Sequence, residues 1–229
     1  MHTAYLSEVA VEELPMTIEC LEAHGDTILA GTKDGTLVVV GRDPEGDSAN
    51  SFGQWHLLDA HKLFAKRPIL QLKAFHGAAK AENGGGGADS SATLVHLASL
   101  TDEGVCFHVL QAGTASEFTL AETVWKTRGA HMFAWQEEHS MLAVAVKRRL
   151  LLFHWDGQRC TELKDMGLPD TVKTMTWCGD AICIGMRKEY SIVDTRTGAI
   201  TDLCPTGYVQ HPAVVSLSTG ELLVNKDGV

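Results

Sequence analysis

The sequence predicts an all-β fold, an incomplete β-propeller of about four and a half four-stranded blades. Three observations predict it. Apolar residues alternate or gather in short runs, the spacing of strands rather than of helices. Turn pairs such as Gly25-Asp26, Asp34-Gly35, Asp156-Gly157 and Gly179-Asp180 punctuate those runs. The resulting strand-turn-strand plan recurs at about 40 residues, the period of a propeller blade.

The first copy of the plan runs through Ile18 to Leu21, Ile28 to Gly31 and Leu37 to Val40. The second, from Pro68 to about Leu120, is interrupted by a flexible insertion at about 77–92 that holds Gly84 to Gly87. Its flanks still read as strands at Ile69 to Phe75, Leu94 to Leu100 and Val105 to Leu110. The third copy has strands at Met132 to Trp135, Met141 to Val146, Leu150 to Trp155 and Arg159 to Leu163. The fourth has them at Val172 to Trp177, Ile182 to Met186, Tyr190 to Asp194 and Ala199 to Leu203. The fifth supplies two, Ala213 to Leu217 and Leu222 to Val224. A small sheet cannot bury both faces alone, so the copies must stack around an axis. A closed ring commonly has more blades, so the apolar strand Leu222-Leu223-Val224 is expected to lie at an unclosed edge.

Bulk properties bound the function. A chain of 229 residues with 45% hydrophobic side chains can build one domain over 1–229. A net charge of -10 argues against the uniformly basic surface of a nucleic-acid binder. Apolar runs such as Leu150 to Phe153 are strand-sized, and the N-terminus lacks the basic start and apolar core of a signal peptide, so a cytosolic protein is expected. The six cysteines (Cys20, Cys106, Cys160, Cys178, Cys183 and Cys204) contain no CxxC pair and read as reduced, buried small hydrophobes.

The residues of common chemistries are not in the required patterns. Gly84 to Gly87 lack the Gly-Lys-Ser/Thr of a phosphate loop. His56 and His61, beside Asp59, read as part of a solvated connecting loop rather than a metal pair. No Gly-x-Ser-x-Gly elbow marks a nucleophile. Trp135, Trp155 and Trp177 fall near strand ends, where packing between blades accounts for them. The expectation is therefore no catalytic residue, no cofactor, no metal and no small-molecule substrate. Two rivals are a propeller hydrolase, which needs carboxylates or a metal cluster converging on the axial channel, and a generic WD-like scaffold, for which the single pair Trp155-Asp156 is thin support.

Charge is distributed unevenly over the plan. In a propeller the second-to-third-strand turns and the blade-to-blade connections emerge on one face, and most of the 19 basic side chains fall there. The other turns collect acids. The candidate interaction surface is Lys33, Lys126, Arg128, Lys147, Arg148, Arg149, Arg187 and Lys188. Such a face suits an anionic membrane surface or an acidic partner, each cation near an anionic bilayer contributing about 1 kcal/mol. Chance clustering of loop charges is the competing explanation.

Several segments carry a family likeness: Gly31-Thr32-Lys33-Asp34-Gly35, Lys126-Thr127-Arg128-Gly129-Ala130, Ala145-Val146-Lys147-Arg148, Met175-Thr176-Trp177-Cys178-Gly179, Lys188-Glu189-Tyr190 and Leu203-Cys204-Pro205-Thr206-Gly207. Together they resemble the citron-homology (CNH) domain of the vacuolar-sorting tethering subunits, those of the HOPS complex first and the related CORVET subunit second. The likeness covers nearly the whole chain and is strongest from Lys126 to Gly220. It implies a non-enzymatic propeller on a tether that links late endosomes to vacuoles or lysosomes before fusion. It also implies partners: other tethering-complex subunits and a late-endosomal Rab GTPase. Family members continue into a helical solenoid that this sequence lacks, and a fragment or truncated gene product is expected on that ground.

Overall fold

A computed structural model describes residues 9–42, 55–62, 64–76, 95–110 and 118–226. Every regular element among them is a strand. The chain divides into two compact units, one of residues 1–101 and 107–120, the other of 102–106 and 121–229.

The first unit opens with the antiparallel sheet β1 (Ile18–His24), β2 (Thr27–Thr32), β3 (Leu37–Arg42) and β4 (Trp55–His61), paired in chain order. The inner strands β2 and β3 are buried on both faces from Leu29 to Thr32 and from Leu37 to Gly41, which is why their apolar runs are continuous rather than alternating. The β2–β3 turn needs Gly35: its φ is +83°, and a Cβ there would lie 2.1 Å from the carbonyl oxygen of Ala65. His56 and His61 belong to β4, not to a connecting loop; paired with Gly41 and Leu37, they are ladder residues.

The next sheet has the order β5 (Gln71–His76), β6 (Val95–Thr101), β7 (Gly104–Leu110) and β8 (Phe118–Thr123), its last two strands divided between the units. In the first unit Leu29, Leu37 and Val39 form one buried cluster with Ile69, Leu72, Ala74 and Leu97, so the first two sheets stack face to face. The insertion expected at about 77–92 lies outside the described residues.

The second unit holds the sheet β9 (Ala130–Gln136), β10 (Met141–Val146), β11 (Arg149–Trp155) and β12 (Cys160–Gly167), followed by β13 (Thr174–Cys178), β14 (Ala181–Gly185), β15 (Glu189–Asp194) and β16 (Ile200–Pro205), and then the pair β17 (Val214–Ser216) and β18 (Leu222–Val224). Leu150, Leu152, Trp177, Ile182 and Ile184 anchor the cluster joining the first two of these sheets, and Tyr190 with Val214 begins the next. Trp177 donates its indole Nε1–H to the carbonyl of Ala134 at 3.0 Å, so this tryptophan packs between blades as its strand-end position implied. The expected strands Ile28 to Gly31, Met141 to Val146, Leu150 to Trp155, Ile182 to Met186 and Tyr190 to Asp194 all form, within one residue at each end.

One irregularity repeats. The register of β4, β12 and β16 shifts by one residue at Leu58, Leu163 and Leu203, and each of these bulged leucines is about half exposed, at 49%, 53% and 48%. A bulge on an outermost strand increases its twist and discourages edge-to-edge pairing. It also places apolar side chains on the outside of the blade, which a strict alternation forbids.

Candidate functional site

The second unit brings five of the eight candidate cations to one rim. Val146 pairs with Arg149, leaving Lys147 and Arg148 as the two-residue turn between β10 and β11. Lys147 takes a φ of +55°, a left-handed conformation that costs a non-glycine residue about 1–2 kcal/mol. From the end of β12 the chain passes this turn, where Leu168 N–H donates to the Arg148 carbonyl at 2.9 Å, and reaches β14, where Lys173 N–H donates to the Gly185 carbonyl at 2.8 Å. The β14–β15 turn with Arg187 and Lys188 is therefore at the same rim.

The two turns are supported differently. In the first, Arg148 donates from Nη2 to the carbonyl of Pro169 at 2.6 Å, and Arg149 forms a forked ion pair with Asp165, its Nε 2.9 Å from Oδ1. In the second, the support is all to the backbone. Thr206, fully buried, donates its hydroxyl to the Arg187 carbonyl at 3.0 Å and its N–H to the Lys188 carbonyl at 2.9 Å. The charged ends of Arg187, Lys188 and the neighbouring Lys173 are exposed and meet no acid among the described residues.

Lys126 and Arg128 lie in the connection leading to β9, and Lys126 is neutralised there: its Nζ is 3.0 Å from Glu162 and 4.2 Å from the centre of the Trp125 ring. Arg128 is exposed. Lys33 belongs to the first unit, where its N–H donates to the Thr17 carbonyl and its side chain is exposed. Lys164 is a mid-strand residue of β12 that donates to the carbonyls of Thr195 and Arg196.

A cleft of about 540 Å³ opens between the β14–β15 turn and the β16–β17 connection, lined by Lys173, Arg187, Lys188, Pro205, Tyr208 and Pro212 among others. Tyr208 is 98% exposed. The far wall is fixed by the Tyr190 hydroxyl, which accepts from Ala213 N–H at 3.1 Å and donates to Asn225 Oδ1 at 2.6 Å. Neither Tyr208 nor Pro212 stood out in the sequence, because the connection has no periodicity; the quoted Cys204-Pro205-Thr206-Gly207 segment ends one residue short of the tyrosine.

Elsewhere one Ser–His pair is enclosed. Ser99 and His108 share a hydrogen bond of 3.0 Å, but both are buried and the Phe64 ring lies tilted against the imidazole, their centres 4.2 Å apart. Burial lowers the pKa of His108 to about 4. All six cysteines are unpaired, but only Cys160 and Cys183 are buried and the other four are half-buried strand residues, which corrects the expectation of six buried thiols. Burial still pushes Cys20 and Cys183 up to about 11, far from the range of a reactive thiolate.

The family model described as the CNH domain matches residues 24–227. The chain belongs to the CNH domain family. This CNH domain is 31% identical over 235 residues to Vacuolar sorting protein 39 of Arabidopsis thaliana, covering 100% of this chain and 21% of that protein. It is 30% identical over 246 residues to the Vam6/Vps39-like protein of Homo sapiens, covering 99% of this chain and 25% of that one. The chain thus spans about a quarter or less of the length of these curated relatives. Among solved structures, Sqt1 of Saccharomyces cerevisiae aligns with a TM-score of 0.51 over 92% of this chain and 70% of its own at 12% identity. The WD40 domain of Neurospora crassa Pan2 aligns at 0.50 over 84% and 51%, at 14% identity. At such identities the likeness establishes the fold alone, that of an incomplete β-propeller.

Proposed function

We propose that this CNH domain is a non-enzymatic interaction module of a vacuolar-sorting tethering subunit, of HOPS type in preference to CORVET. On this reading it acts in traffic from late endosomes to vacuoles or lysosomes, including autophagic fusion, as a peripheral component at the cytoplasmic side of the membrane. Its partners are the other subunits of the tethering complex and a late-endosomal Rab GTPase. The observation that carries the reading is that Vps39-named relatives from a plant and a mammal align with essentially all of this chain at 30–31% identity. The exposed cations of the second unit supply a surface for the purpose, since solvated charges at a rim steer encounter with anionic partners and membranes.

The test is co-precipitation of the tagged chain with the late-endosomal Rab loaded with either GTP or GDP, and with the other tethering subunits. Retention of the GTP-loaded Rab or of a tethering subunit is the expected result. Retention of neither, from a chain with a cooperative melting transition, contradicts the proposal.

A further inference from the structure

We infer that the cleft between the β14–β15 turn and the β16–β17 connection is a docking groove for an extended acidic peptide segment of a protein partner. The inference rests on the interaction-module reading above and adds to it the place and the chemistry of one contact. Three features of the groove support it. Lys173, Arg187 and Lys188 line it, all three exposed and opposite no acid among the described residues, so their hydrogen-bonding capacity is turned outward. Its walls are held from behind, by Thr206 on the turn and by the Tyr190–Asn225–Ala213 hydrogen bonds on the connection, so little ordering is needed when a ligand enters. The fully exposed Tyr208 and the exposed Pro205 add an apolar surface beside the charges, the combination that orients a peptide rather than a bare ion.

A volume of about 540 Å³ lies in the range of specific ligand sites, and it is a recess. A bilayer is flat on this scale and engages protruding side chains, as exposed Lys147 protrudes at the neighbouring turn; it gains nothing from an aromatic wall beside Pro205. Charge complementarity with a concave, pre-formed shape therefore favours a peptide carrying several carboxylates.

Fluorescence anisotropy of fluorescein-labelled hexaglutamate, with hexaglutamine as the uncharged control, tests this at low and at physiological salt. Hexaglutamate is expected to bind and hexaglutamine not. The paired change Arg187→Glu and Lys188→Glu should weaken binding by at least about tenfold, through loss of two charge-assisted contacts. The charge-neutral Tyr208→Ala should weaken it by roughly threefold, and Lys147→Glu, outside the groove, should change it less than about twofold. Binding that survives the paired reversal, or that falls equally with Lys147→Glu, overturns the groove. So does a chain that ignores hexaglutamate while binding phosphatidylserine vesicles through Arg187 and Lys188, which assigns the surface to membrane. Failure here alongside intact co-precipitation of the Rab or of tethering subunits removes the groove alone, whereas loss of that co-precipitation removes the reading beneath it.

Discussion

In the first unit His96, Ser99 and His108 lie buried among apolar strands, whereas the second unit packs an apolar cluster from Ala143 to Val193 and carries its cations at a rim. Both are built from the same four-stranded repeat, so the difference lies in where polarity is placed. Burial holds His96 and His108 below the ordinary histidine range, and their ring contacts with Phe75 and Phe64 serve packing. The rim residues Lys147, Arg187 and Lys188 of the second unit are exposed. Acid should therefore trouble the first unit, and charge substitutions should alter binding by the second with little change in its stability.

The largest expected effect is acid destabilisation through His108. The unfolded histidine takes up a proton near its ordinary pKa of 6.5, while the folded one resists until about 4. Stability should therefore fall as the pH drops from about 7 towards 4, by roughly 3 kcal/mol from this group. His96, also lowered by burial, adds in the same direction. Denaturant midpoints at neutral and acidic pH measure the slope, and His108→Leu should flatten it.

Next come two glycines that allow close approach inside the sheets. A Cβ on Gly31 would lie 2.6 Å from Cys20 Sγ and 2.7 Å from Ile69, and one on Gly185 would lie 2.6 Å from Thr174 and 2.8 Å from Tyr190. Gly31→Ala and Gly185→Ala should each cost about 1–3 kcal/mol by overpacking. Calorimetry would reveal whether the two units pay equally, as a shared repeat demands.

Relief of backbone strain is a smaller effect of opposite sign. Lys147→Gly frees the left-handed turn residue and should stabilise the second unit by up to about 1 kcal/mol. Arg149→Ala removes the exposed pair with Asp165 and should shift stability by less than about 1 kcal/mol. A larger loss in a thermal melt would mean that this rim is structural rather than available for docking.

The hairpins were legible in the sequence because inner strands such as Met141–Val146 carry unbroken apolar runs between turn residues. The outermost strands were harder. In β4 the bulge at Leu58 breaks the alternation, so Trp55–His61 resembled a loop around two histidines. The rim turns could be located from their period, but which cations were already paired could not. Glu162 and Asp165 reach Lys126 and Arg149 through the fold of β12, a strand distant from Lys126 in sequence and joined to Arg149 by ladder register. Tyr208 was missed because an irregular connection places it beside the charges.

The central claim is that the exposed rim cations Lys147, Arg187 and Lys188, not net charge, make the interaction surface. Two triple reversals of equal charge change isolate it: Lys147, Arg187 and Lys188 to Glu, against Lys126, Arg148 and Arg149 to Glu, each assayed for association with isolated vacuoles or late endosomes. The account predicts that the first triple abolishes association at low salt while the second retains most of it. Equal losses, or a greater loss from the second, would contradict it.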